Sequence, residues 1–101
     1  MKIKAVVNGS VLTIFICGEL GHHEAIDVIS RIRDEMERGT YMQIILDMDG
    51  LTFMDSSGIA VVMKAYKIAQ SMETKFAVKV GSGHKKRILM AAGLNKIIDF
   101  I

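Results

Sequence analysis

The stretch Met42-Gln43-Ile44-Ile45-Leu46-Asp47-Met48, followed by Asp49-Gly50-Leu51-Thr52-Phe53-Met54 and then Asp55-Ser56-Ser57-Gly58, decides the fold. Its first seven residues form a nearly continuous apolar run. Such a run marks a central strand covered on both faces. Residues 49–54 read as a loop. Asp55-Ser56-Ser57-Gly58 then opens a helix that runs to about Met72. Ile59, Val62, Met63, Tyr66 and Ala69 form one apolar stripe of that helix, and Val61, Ala65, Ile68 and Met72 form another. One stripe suffices to dock a helix on a sheet. The second meets a neighbouring helix or serves as an exposed docking face.

Outward from this unit, the period changes mark further elements. Residues 3–7 and 11–17 alternate as strands, and Asn8-Gly9 between them favours the positive φ of a tight hairpin. Residues 22–38 read as a helix with Ala25, Ile29, Ile32 and Met36 on one face. Asp27 with Arg31, and Asp34 with Arg38, form i,i+4 pairs on its wet side. Residues 75–80 alternate as a strand, and residues 84–92 form a short helix ended by Gly93. Residues 97–101 make a last strand. The expected order is β-β-α-β-α-β-α-β in a single α/β domain with a mixed sheet.

Composition removes several functional classes. The chain has 101 residues, 50% of them hydrophobic, with one cysteine. A single cysteine forms no internal disulfide. No stretch reaches the length of a membrane-spanning helix, and Met1-Lys2-Ile3-Lys4 does not begin a signal peptide. A net charge of +2 is too small for a nucleic-acid footprint. The expectation is a cytoplasmic domain with neither nucleic acid nor membrane among its partners.

The segment Phe53 to Gly58 carries the most chemical information. A serine at a helix start is placed for reversible phosphorylation, because free backbone N–H groups and the helix dipole stabilise a phosphate there. The same residues also serve as ordinary helix caps. A hydrolase elbow does not fit. Met54 stands where Gly-x-Ser-x-Gly centred on Ser56 needs its first glycine, and Asp55 and Ile59 occupy both glycine positions around Ser57. Gly81-Ser82-Gly83-His84-Lys85-Lys86-Arg87 offers a weak phosphate cradle or a basic docking segment, without Walker spacing. His22-His23-Glu24 lacks a third ligand at a known metal spacing and reads as helix-start capping. Asp47, Asp49 and Asp55 do not match a calcium loop. No cofactor, metal or catalytic residue is expected.

Three blocks resemble a known family. Gly18-Glu19-Leu20-Gly21-His22-His23, Leu51 to Gly58, and Lys86-Arg87-Ile88-Leu89 through Ala92-Gly93-Leu94-Asn95-Lys96-Ile97-Ile98 are similar to segments of STAS-domain anti-sigma factor antagonists of the sporulation type. With the hairpin, the resemblance covers essentially the whole chain. It implies a protein that binds an anti-sigma factor with serine kinase activity and thereby releases a sigma factor. Phosphorylation of Ser56, the first serine after the motif aspartate, switches binding off, and a serine phosphatase restores it. The candidate partner-binding residues are His22, His23, Met54, Asp55, Ser57, Gly58, Ile59 and Ala65. The resemblance also implies departures: Gly21 replaces an aspartate, and relatives continue into a further C-terminal helix. A STAS module that senses a small molecule or scaffolds another protein is the alternative.

Overall fold

The computed structural model describes all residues, 1–101. Strand β1 (Lys2–Asn8) turns into β2 (Val11–Leu20), followed by helix α1 (Ala25–Glu37) and strand β3 (Gln43–Asp47). A fourth strand, β4 (Leu51–Met54), leads into helix α2 (Ser57–Ser71). Strand β5 (Lys75–Lys79), helix α3 (His84–Ala91), a 3₁₀ turn (Leu94–Lys96) and strand β6 (Asp99–Phe100) complete the domain. This is the expected single α/β domain with a mixed sheet, plus one strand where a loop was expected.

The hairpin forms because Gly9, at φ 62, takes the first central position of a two-residue turn. Glycine adopts that conformation without the steric cost of a side chain. Asn8 itself stays in β1 and pairs with Val11. The sheet order is β1-β2-β3-β5-β6, with β1 antiparallel and the other neighbours parallel. From β2 onward, each crossover advances the sheet in one direction. Right-handed crossovers of that kind carry their helices to a single face.

Burial follows from that topology. Leu12, Ile14 and Ile16 of β2, Ile44 and Leu46 of β3, and Val78 of β5 are fully buried beneath the helices. Each such side chain contributes roughly 1.5–3 kcal/mol of hydrophobic stabilisation. Gln43 and Ile45 on the other face of β3 are only half-buried, so this strand is not covered on both sides as its apolar run suggested. Its composition reflects a central position between β2 and β5 rather than two helical layers.

Helix α1 buries Ala25, Val28, Ile32 and Met36, while Ile29 is half-buried. It begins later than residue 22, because His22-His23-Glu24 form a turn. In that turn the Glu24 carboxylate accepts the Gly21 N–H at 2.9 Å, and the Glu24 N–H bonds the Gly21 carbonyl at 3.2 Å. Asp27 pairs with Arg31 as expected, but Arg38 pairs with Glu35 at 2.9 Å rather than with Asp34. Helix α2 is covered along both apolar stripes. Val61, Val62, Ala65 and Ala69 are buried against the core, and Ile59, Met63, Tyr66, Ile68 and Met72 are half-buried.

Candidate functional site

The site is assembled by β4, a strand that local periodicity does not reveal. Strand β2 is long enough to pair twice along one side. Its first half pairs with β3 from Val11 to Phe15. Its second half pairs with β4 from Gly18 onward, across a register shift between Gly18 and Glu19, so that Leu20 lies beside Met54. The Asp55 N–H then bonds the Leu20 carbonyl at 3.3 Å. Residues 20–23 and 53–56, far apart in sequence, thus become neighbours.

Only two of the four β4 side chains enter the core. Leu51 and Met54 are buried, whereas Thr52 and Phe53 point outward. Phe53 is 48% exposed, and a Cβ added at Gly21 would lie 3.8 Å from its ring and 3.5 Å from an Asp55 carboxylate oxygen. Nearer still, at 3.2 Å, is a Glu24 carboxylate oxygen, so Gly21 faces both carboxylates and an aspartate there would add a third.

Asp55 performs the capping at the start of α2. Its Oδ1 accepts the Ser57 N–H at 2.8 Å, and its main-chain carbonyl accepts the Gly58 N–H at 3.1 Å. The Ser57 amide holds the Asp55 carboxyl below its ordinary value, with further help from the Ser57 hydroxyl and from the His22 backbone and charge. Asp55 is accordingly a carboxylate at neutral pH. Ser57 is half-buried and turned toward it.

Ser56 differs from both neighbours. It is exposed at the helix tip and provides no side-chain cap. Its hydroxyl has no hydrogen-bond partner within the chain, so nothing must break before it reacts. The two serines of Asp-Ser-Ser-Gly are thereby distinguished: one shapes the turn and the other is presented.

Three expected partner contacts lie inside the protein. Met54 and Ala65 are each 1% exposed, and Gly58 is buried. A Cβ at Gly58 would overlap the Met54 thioether, so Gly58 lets α2 pass close over β4. These residues are covered by the rest of the chain and shape the site from below. Charging Ala65 would bury an unpaired carboxylate and test stability rather than docking. His22 and His23 are exposed, with ring centroids 5.9 Å apart, and Ile59 is half-buried. Two exposed apolar side chains were not singled out from the sequence: Phe53, beside Gly21, and Ile26, in the first turn of α1 and 82% exposed. An aromatic residue in the run Leu51-Thr52-Phe53-Met54 was the available signal for Phe53.

The basic segment is not a uniform cationic face. The Lys85 ammonium turns inward and donates to the carbonyls of Met48, Asp49 and Leu51 at 3.0, 3.2 and 2.9 Å. Asp49 accepts the Gly81 N–H at 2.7 Å, and Asp47 accepts the Asp49 N–H at 3.0 Å. These carboxylates are committed to backbone amides. No cluster of three or more His, Cys, Asp or Glu side chains is arranged to hold a metal ion. No helix is long and apolar enough to cross a membrane.

Comparison with known proteins follows the same blocks. The STAS domain model matches residues 2–101. The chain belongs to the STAS-domain family. It is 31% identical over 98 residues to an anti-sigma F factor antagonist of Paenibacillus polymyxa, covering 97% of this chain and 84% of that one. Its fold is similar to that of the anti-sigma factor antagonist SpoIIAA in its unphosphorylated form, with TM-score 0.78 and 22% identity, covering 99% of this chain and 88% of that one. The phosphorylated form of the Bacillus protein SpoIIAA superposes with TM-score 0.71 at 22% identity, covering 99% and 91%. The family resemblance carried by the three sequence blocks is therefore correct.

Proposed function

We propose that this protein is an anti-sigma factor antagonist whose switch is Ser56. The unmodified protein binds an anti-sigma factor that is also a serine kinase, and so frees a sigma factor in the cytoplasm. The kinase phosphorylates Ser56, the modified protein dissociates, and a serine phosphatase returns it to the binding form. The chain acts as substrate and switch, without catalysis of its own.

The carrying observation is the exposed, unbonded Ser56 hydroxyl beside an ionised Asp55 that already caps α2. Phosphorylation adds about −1.5 to −2 charges there. That charge enters a surface that already holds the Asp55 carboxylate. An interface that accommodates the neutral hydroxyl loses several kcal/mol when like charges are brought together. The similarity to a relative named for anti-sigma F antagonism supports the assignment of partner class. His22, His23, Ile26, Phe53 and Ile59 are the proposed contact surface, with Asp55 and Ser57 holding the turn.

The test is incubation with a sporulation-type anti-sigma kinase and ATP, followed by mass spectrometry. One phosphate on Ser56, lost in Ser56→Ala, is the expected result. Modification of Ser57 alone would overturn the site. If neither binding nor modification occurs, a sensing or scaffolding STAS module becomes the better description.

A further inference from the structure

The two edges of the sheet differ. Strand β6 is only two residues long, but β1 spans seven and has no neighbour on its outer side. Long open edges are templates for pairing with another strand. In a two-residue hairpin the residues flanking the turn form a hydrogen-bonded pair, and such pairs alternate along an antiparallel ladder. Asn8, Val6, Lys4 and Lys2 therefore bond toward β2 through their partners Val11, Thr13, Phe15 and Cys17. Ile3, Ala5 and Val7 direct their main-chain groups outward. The Met1 carbonyl, next in that outward series, is reached by the Arg31 guanidinium at 3.5 Å.

We infer that β1 is a self-association edge, and that its partner is the β1 strand of a second copy of this chain, antiparallel about a two-fold axis at Ala5. In that register Ala5 faces Ala5 and exchanges both hydrogen bonds with it, while Ile3 faces Val7 in both directions. All of the outward-facing strand groups are used. Lys4 lies opposite Val6, and Lys2 opposite Asn8, so no two cations meet. Shifting the axis to residue 4 would oppose Lys4 with Lys4, a destabilising pair. Shifting it to residue 6 would leave Ile3 without a strand partner. The charge pattern and the hydrogen-bonding parity thus select one self-complementary register, as an isologous dimer requires.

The flanking surfaces agree with this occupant. Val6 and Val7 are 40% and 55% exposed on an edge strand. Beside Ile3, the groove between β1 and α1 is lined by Arg31, Asp34, Glu35 and Arg38, whose formal charges cancel. Two copies meeting there experience no net repulsion.

Sedimentation velocity of the whole chain over a wide concentration range tests the inference. A concentration-dependent dimer is expected. Ala5→Pro removes an outward N–H but no bond to β2, and proline is tolerated at such edge positions; it should yield a folded monomer, with folding checked by circular dichroism. Val6→Lys, which places lysine against Lys4 twice per dimer, should weaken association roughly tenfold at low salt. Combining V6K with K4E should restore it. A chain that stays monomeric at every concentration, or a dimer insensitive to Ala5→Pro and Val6→Lys, would overturn the inference. Pairing only with a strand of a different protein would replace the proposed occupant and equally overturn it.

Discussion

The starts of α2 and α3 look alike in the sequence but differ in the fold. Both follow a short polar segment at the end of a parallel strand, and both contain serine near glycine. At α2 the polar group that closes the helix end is Asp55, which leaves Ser56 outside and free. At α3 the Lys85 side chain reaches inward and is held by two carbonyls of the β3–β4 connection and one at the start of β4. One helix start therefore presents a group to solvent, and the other clasps the rest of the protein. Residue type near a helix tip does not decide which; the neighbouring backbone does.

A phosphate-like charge should separate the two ends most sharply. Ser56→Asp is expected to weaken binding to the anti-sigma partner by roughly a hundredfold or more, through like charges brought into an interface. Ser82→Asp should leave that affinity unchanged. Isothermal titration of both variants measures the contrast, and equal effects would erase it.

Stability distinguishes the ends in the opposite sense. Lys85→Met keeps the aliphatic stem but removes the ammonium from three carbonyls. It should cost about 2 kcal/mol in urea denaturation, because hydrogen bonds to charged groups are strong and their loss leaves acceptors unpaired. Lys85→Arg should recover only part of this, since a planar guanidinium does not reproduce three rotatable donors on a point charge. A Lys85→Met variant as stable as the parent would show that α3 is held by packing alone.

The smallest expected effect is the pH response of Asp55. Its carboxyl is held low chiefly by the Ser57 amide. A group whose folded pKa is depressed stabilises the protein above its unfolded value, 3.8 here, and loses that contribution as pH falls through the folded value. Asp55→Asn preserves a capping side chain but has no such titration. It should flatten the stability curve below about pH 4, as followed by thermal melts at closely spaced pH values. An unchanged acid limb would remove Asp55 from the account of the α2 cap.

The elements that follow from local patterns are legible in the sequence: the hairpin from Gly9, α1 and α2 from their 3.6-residue period, and β5 from alternation. Strand β4 is not. Four residues with Leu51 and Met54 inward and Thr52 and Phe53 outward match neither period, and their extended state depends on pairing with β2. The exposure of the candidate contacts was not legible for a related reason. Spacing identifies which residues share a helix face but not whether another helix covers that face. Ala65 and Met54 are therefore hidden, while Phe53 and Ile26 are exposed.

By itself the sequence determined the α/β class, the family blocks and the presence of a serine pair at a helix start, because periodicity, turn chemistry and capping are written within a few residues. Only the tertiary structure decided that Ser56 is exposed while Ser57 turns toward Asp55, which of the expected contacts are buried, and that His22 stands beside Asp55. Those outcomes depend on long-range strand pairing and burial. Residues distant in the chain supply the hydrogen bonds and the excluded volume.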